Sequence, residues 1–288
     1  MSSHFILTSS PSPGVLLVTL EHQSKLNAFA TSLFLALRSV FDSASSDPDV
    51  RCVVLASGVE KAFTVGLDLT DDQLHQKGAD PARTALLVRE YIALLQSCVS
   101  ALQACQKPIV AACHGICYGA GLDILSACDV RLCASGGEGG RETRMAIKEV
   151  DIALAADIGS LQRLPKTTGN ASLLYELALT ARDFGPDEAL QLGLVSRVVE
   201  GGREEVLREA LRVAEVIASK SPIATLSTKH LLNYSREHTV QEGLEYTQAW
   251  NMSMIQCADI PAAFEAFTTK KPAQFGPLAR QSARQSKL

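Results

Sequence analysis

Apolar residues follow two rhythms along this 288-residue chain. Short runs of branched residues, at Val15-Leu16-Leu17-Val18-Thr19-Leu20, Cys52-Val53-Val54-Leu55, Ile109-Val110-Ala111-Ala112-Cys113 and Val130-Arg131-Leu132-Cys133, predict β-strands. Between them the spacing turns helical. Leu33, Leu37, Val40 and Phe41 share one face of residues 32–44, and Leu87, Tyr91, Leu94, Cys98 and Leu102 share another ahead of Pro108. This alternation predicts an α/β fold with β-sheet at the centre and helices over it. Beyond about residue 200 the strand rhythm stops. Residues 204–219, 223–235, 240–257 and 260–267 predict helices, punctuated by Pro222 and Pro261. The pattern divides the chain into a core over 1–200, a helical region over 201–272 and a tail over 273–288. The glycine- and charge-rich run 136–144 predicts a surface loop.

Composition narrows the class. Hydrophobic residues at 47% and charged residues at 20% suit a chain that buries a sizeable core. A formal charge of -4 argues against nucleic acid as a partner. We expect no apolar run of membrane-spanning length, and the first ten residues lack the basic-then-apolar order of a secretory leader. The eight cysteines include no Cys-x-x-Cys pair, and Cys113 and Cys117 have no second ligand pair, so no metal site is expected. Cys52, Cys113, Cys128 and Cys133 sit in apolar text and read as buried, reduced thiols. The final Ser286-Lys287-Leu288, at the end of a polar arm, reads as a receptor-read peroxisomal address.

The candidate chemistry lies in three carboxylates set in apolar sequence: Asp123, Glu149 and Asp157. Burying an acid is costly, and burial lifts a carboxyl pKa toward the range where it exchanges protons near neutral pH. Each also has a plain structural reading. Asp157 can cap a helix over 158–164, Asp123 suits the first turn of a helix, and Glu149 can pair with Lys148 or Arg144. Two glycine-bearing turns accompany them, residues 62–69 after the second strand and 114–121 after the third. Such turns leave backbone N–H groups unpaired, and two converging on one oxygen make an oxyanion hole. Alone, each is equally a tight turn. No Gly-x-Gly-x-x-Gly or Walker pattern is present, so the glycines do not mark a nucleotide site.

From about residue 16 to 270 the chain resembles the crotonase (enoyl-CoA hydratase/isomerase) superfamily. The resemblance rests on Lys25-Leu26-Asn27-Ala28, on residues 62–69 (AFTVGLDL) and on the stretch from Lys107-Pro108 to Cys128-Asp129. The segments KEVDIALAADIGSLQRLPK, ELALTAR, SKSPIA and WNMSM resemble its dienoyl-CoA isomerase subgroup. The resemblance implies a spiral of repeated ββα turns with a helical C-terminal region used to form trimers, which stack into hexamers. It implies an oxyanion hole from the backbone N–H groups of Leu67 and Ala120, where the family more often has glycine at the second position. It also implies a coenzyme A site along Lys25, Ala28, Val65, Gly66, Asp68 and Leu69, with coenzyme A arriving as part of an acyl-CoA thioester and no separate cofactor.

The three carboxylates discriminate among reactions within that family. A 3,5-dienoyl-CoA has an acidified C2 proton, and its removal gives a dienolate whose charge reaches C6. Asp157 is then the expected base at C2, Glu149 the acid at C6, and Asp123 a supporting group. The product is a 2,4-dienoyl-CoA, a step in oxidation of unsaturated fatty acids. Hydratases instead use two glutamates to hold a water and typically carry a small residue at the position of Asp157. An enoyl-CoA hydratase and a non-catalytic crotonase-fold binding protein are the alternatives. The expected location is a peroxisome or a related organelle such as a glyoxysome or glycosome.

Overall fold

The computed structural model describes residues 5–136 and 142–278. A hairpin of β1 (Ile6–Ser12) and β2 (Val15–Leu20) leads into helix α1 (Thr31–Ser46). Three pairs of strands follow. β3 (Cys52–Ser57) and β4 (Ala62–Thr64) precede helix α2 (Pro81–Ala104), and β5 (Ile109–Cys113) and β6 (Ile116–Tyr118) precede α3 (Ala120–Ala127). β7 (Val130–Ala134) and β8 (Arg144–Ala146) precede a single 3-10 turn (Glu149–Ile152) and α4 (Ser160–Thr167). Then come α5 (Ala171–Thr180), α6 (Pro186–Leu192), β9 (Arg197–Val199), α7 (Arg203–Ala218), α8 (Pro222–Ser235), α9 (Val240–Met254) and α10 (Asp259–Thr269).

Each pair splits between two sheets. β3, β5 and β7 run parallel in a six-stranded sheet of order β1-β2-β3-β5-β7-β9, while β4, β6 and β8 form a three-stranded parallel sheet. Successive ββα turns therefore stack as a spiral, the architecture the resemblance implies. β3 and β5 are buried along their whole length, as unbroken apolar runs in a parallel sheet require. One face of the large sheet meets a core that includes Phe34, Phe41, Leu55, Leu102 and Ile124. On the other face, Val54, Val110 and Leu132 lie under Val206, Ala210 and Ala214 of α7. That four-residue spacing lays one small-residue stripe of α7 flat on the sheet.

Several elements differ from the sequence reading. β4 and β6 form in segments whose glycines predict turns, and β8 has no expectation of its own, because strands of three residues show no alternation. α2 corrects the expectation about membrane-spanning runs: its 24 residues are long and apolar enough to cross a membrane by length and composition. Here its C-terminal half packs in the core through Leu95, Cys98, Val99 and Leu102. Of the loop expected over 136–144, residues 137–141 lie outside the described residues. At its end Glu142 and Arg144 are exposed, as expected of a surface loop, but Arg144 already begins β8, and Thr143 between them is buried, its hydroxyl donating to the Ala134 carbonyl at 2.6 Å. Ser286, Lys287 and Leu288 also lie outside the described residues. All eight cysteines are free and seven are buried, and burial pushes the Cys52 thiol up to about 12. Among the described residues no cluster of His, Cys, Asp or Glu is placed to hold a metal ion.

A buried asparagine ties the loop after β2 to the small sheet. Asn27 adopts φ +57°, which asparagine tolerates better than most residues. Its Nδ2 donates to Ser57 Oγ at 2.8 Å and to the Phe63 carbonyl at 2.9 Å, and its Oδ1 accepts from the His22 N–H at 2.7 Å. Thr64 Oγ1 donates to the Asn27 carbonyl at 2.7 Å. Asn27→Ala removes these three side-chain bonds and puts alanine at φ +57°, so we predict destabilisation by about 2–4 kcal/mol, read as a lower urea or thermal midpoint. An unchanged midpoint contradicts the assignment.

Candidate active site

A cleft of about 140 Å³ opens where the two glycine-bearing turns meet the segment between β8 and α4. Val65, Gly66, Leu67 and Leu69 form one wall and Gly119 and Ala120 another. Glu149, Ile152, Leu154, Asp157 and Ile158 close the third side. A larger hollow of about 580 Å³ between α2 and α8 has no carboxylate in its lining. The smaller, apolar cleft with two acids is the one suited to chemistry.

Close backbone approach builds the first two walls. Gly66 has φ +94°, and a Cβ there would stand 2.9 Å from the Tyr118 carbonyl oxygen and 3.6 Å from the Ala120 nitrogen. Glycine alone lets the two turns touch. The Gly66 carbonyl accepts from the Phe29 N–H at 2.7 Å, and the Asp68 N–H donates to the Phe29 carbonyl at 3.0 Å. Leu67 lies between these two ties, and among the described residues its own N–H has no acceptor. Ala120 opens α3, where first-turn N–H groups lack helical partners, and its N–H likewise has no acceptor among the described residues. Its methyl group is buried in the core, so alanine fits where the family more often has glycine. Two free N–H groups on touching turns, at one end of an apolar cleft, suit a developing oxyanion.

The acids differ in setting. Glu149 starts the 3-10 turn, which ends with Ala153 at φ +58°. Burial, then the negative charge of Asp123, lifts Glu149 to about 7. Its Oε2 is buried without a hydrogen-bond partner. Asp157 is half-buried, and burial raises its carboxyl above the ordinary aspartate range. Asp123 is fully buried on α3 and does not line the cleft. Burial lifts it to about 6, against the opposing pull of the Ser160 N–H, which donates to its Oδ1 at 2.5 Å.

These contacts correct two plain readings. Asp157 caps no helix: α4 begins at Ser160 behind Gly159, with no side-chain cap of its own. Glu149 pairs with neither Lys148 nor Arg144. Lys148 instead donates to the Ala181 carbonyl at 2.8 Å and pairs with Asp183 at 3.0 Å, and Arg144 reaches Asp183 at 4.0 Å. Tyr118 OH also donates to Asp183, at 2.5 Å. Lys148, Asp183 and Tyr118 thus anchor the Glu149 turn to β6, a tie that sequence reading did not single out because its three residues lie far apart in the chain.

The residues expected along the coenzyme A site fall in two groups. Val65, Gly66 and Leu69 line the cleft. Lys25, Ala28 and Asp68 do not; they brace its outer side. Lys25 Nζ pairs with Asp68 Oδ2 at 2.6 Å and holds that carboxyl down to about 2, with Thr70 Oγ1 assisting at 2.7 Å. The Ala28 N–H donates to the Lys25 carbonyl at 2.9 Å.

A family model described as enoyl-CoA hydratase/isomerase matches residues 11–277. The chain belongs to that enoyl-CoA hydratase/isomerase family. Among its relatives, the mitochondrial Δ(3,5)-Δ(2,4)-dienoyl-CoA isomerase of Homo sapiens is 45% identical, over 89% of this chain and 77% of that protein. The peroxisomal Δ(3,5)-Δ(2,4)-dienoyl-CoA isomerase of Arabidopsis thaliana is 37% identical, over 95% of this chain and 96% of that protein. The crystal structure of an enoyl-CoA hydratase from Bacillus anthracis superposes with a TM-score of 0.83 at 25% identity, covering 95% of this chain and 99% of that one. The spiral of this chain is thus the crotonase fold of its family.

Gly119 offers a direct check on the cleft. It has φ +50°, and a Cβ there would stand 3.1 Å from Glu149 Oε1. Gly119→Ala strains the turn and displaces the acid, so we predict a fall in kcat of about 100-fold with a smaller change in KM. Full activity in this variant contradicts the described approach of Glu149 to the turn.

Proposed function

We infer that this chain is a dienoyl-CoA isomerase that converts a 3,5-dienoyl-CoA thioester to its 2,4-isomer in the oxidation of unsaturated fatty acids. The observation that carries this reading is the pairing, in one apolar cleft, of two acids with raised pKa values opposite two free N–H groups. Both relatives named above bear that activity in their names.

The chemistry follows from the placement. Asp157, the less buried acid, takes a proton from C2 as the base. The electron pair delocalises through the diene, and negative charge gathers on the thioester oxygen. The N–H groups of Leu67 and Ala120 stabilise that charge, and one such donor is worth about 3 kcal/mol in an acyl-transfer oxyanion hole. Glu149, lifted to about 7, holds a proton to deliver at C6. One proton leaves and one arrives, so substrate and product are isomers and the step calls for no redox cofactor or metal.

The hydratase reading needs Asp123 and Glu149 to share a water in the cleft. Asp123 lies behind the cleft wall with one oxygen committed to the Ser160 N–H, which weighs against it. A non-catalytic binding protein has no use for acids kept in apolar surroundings. The Lys25–Asp68 brace and the walls at Val65, Gly66 and Leu69 border the path proposed for the coenzyme A moiety.

We also place the chain in homotrimers that stack into hexamers. Leu232, Leu244, Met252, Phe264 and Phe267 on α8–α10 are all more than half exposed, apolar side chains that a subunit contact would cover. For location, a peroxisome-type organelle is the reading that Ser286-Lys287-Leu288 supports, since this tripeptide is an import address when it ends a chain. The Arabidopsis thaliana relative is named peroxisomal and the Homo sapiens relative mitochondrial.

Two measurements check the reaction. With purified protein, isomerisation of a 3,5-dienoyl-CoA is expected to exceed hydration of a 2-enoyl-CoA by about 100-fold or more in kcat/KM, the scale of a reaction with its base in place against one without. Rapid hydration without isomerisation sinks the reading. The pH profile is expected to be bell-shaped. Activity falls as pH rises through about 7 and Glu149 loses its proton, and falls at low pH as Asp157 gains one. A flat profile from roughly pH 5 to 9 contradicts the acid–base assignment.

A further inference from the structure

We propose that Asp123 is a positioning residue, not a proton carrier: its carboxylate caps α4 from α3 and thereby fixes the turn that aims Asp157 into the cleft. This deepens the isomerase reading and rests on Asp157 being the base. The turn from Asp157 to Ser160 supplies no side-chain cap for the helix that follows it. Gly159, the residue ahead of α4, has no side chain to cap the helix and adopts φ +136°. The Ser160 N–H donates instead to Asp123 Oδ1, at 2.5 Å, from a different element. Only two residues separate that bond from Asp157.

Two further ties complete the hold. Gln96 Nε2 of α2 donates to the Asp157 carbonyl at 2.7 Å. Arg163 of α4 reaches the Ile158 carbonyl at 3.5 Å and is itself held by Gln103 at 2.8 Å and Ser100 at 2.9 Å on α2. α2, α3 and α4 each contribute one contact to four consecutive residues. The Asp123 contact is the innermost: its side chain is fully buried, whereas Gln96 is exposed. An acid with one oxygen on a helix N-terminus and no edge in the cleft is placed to orient rather than to touch substrate.

Asp123 also acts through its charge. The charged groups that bear on Glu149 are Asp123 from α3 and Asp157 from the turn, and both favour the protonated acid. Asp123 thus fixes the position of one acid and supports the protonation of the other. An asparagine separates the two roles, because it offers an oxygen to the Ser160 N–H as well as aspartate does but carries no charge.

The experiment compares Asp123→Asn, Asp123→Ala and Asp157→Asn in the full-length protein, with folding checked by circular dichroism and thermal melting. Asp123→Asn is expected to keep kcat within about threefold at its optimum, as its capping ability predicts, with the high-pH limb moved to lower pH. Asp123→Ala is expected to lose about 100-fold in kcat with KM little changed, since a displaced base costs that much. If Asp123→Asn is as inactive as Asp123→Ala while folded, Asp123 carries a proton and the proposal is overturned. It is also overturned if folded Asp123→Ala keeps full kcat, or if the high-pH limb of Asp123→Asn stays in place. Asp157→Asn tests the underlying reading separately: full activity there removes the base assignment, whatever the Asp123 variants do.

Discussion

Everything at this site depends on the contact between two backbone turns, one after β4 and one after β6. With only hydrogen at Gly66, the chain passes close enough to Tyr118 and Ala120 for two N–H groups to serve one small cleft. Nothing in that contact is a strong interaction. It is a steric permission, and the spiral exploits it because β4 and β6 are neighbours in the small parallel sheet. Matching turns at the ends of adjacent parallel strands come into register without further design.

Around those turns the fold keeps acids where water would not leave them neutral. Holding Asp123 in full burial, with its pKa moved from 3.8 to about 6, costs on the order of 3 kcal/mol at neutral pH. The sign follows from linkage. A raised carboxyl pKa favours the folded state at low pH, and that advantage is lost as pH rises from about 4 through the folded value. The large core on both faces of the six-stranded sheet absorbs such a cost. A recurring device helps: the first N–H groups of α1 and α4 are each held by an aspartate from another element. The Thr31 N–H donates to Asp71 Oδ2 at 2.5 Å, as the Ser160 N–H does to Asp123. Capping from a distance fixes a helix and its neighbouring turn together.

Much of this was legible in the sequence, and the gaps have physical causes. β3 and β5 announced themselves as unbroken branched runs because both their faces are buried. Leu67, Ala120, Glu149 and Asp157, named from motifs up to 90 residues apart, line one cleft. The small sheet leaves no mark in the sequence, since three-residue strands carry no period. Asp157 looked like a helix cap from its place ahead of Ile158, and Asp123 turned out to hold that helix from 37 residues away. The Lys148–Asp183–Tyr118 tie was invisible for the same reason: side-chain bonds between distant elements leave no trace in local spacing.

The division of labour between Asp157 and Glu149 is the central claim, and isotope exchange reads it most directly. In D2O, with a 3,5-dienoyl-CoA and followed by NMR, Glu149→Gln is expected to exchange the C2 proton while forming little 2,4-product. Asp157→Asn is expected to lose C2 exchange and turnover together. Undiminished C2 exchange in Asp157→Asn, or its loss in Glu149→Gln alone, contradicts the assignment.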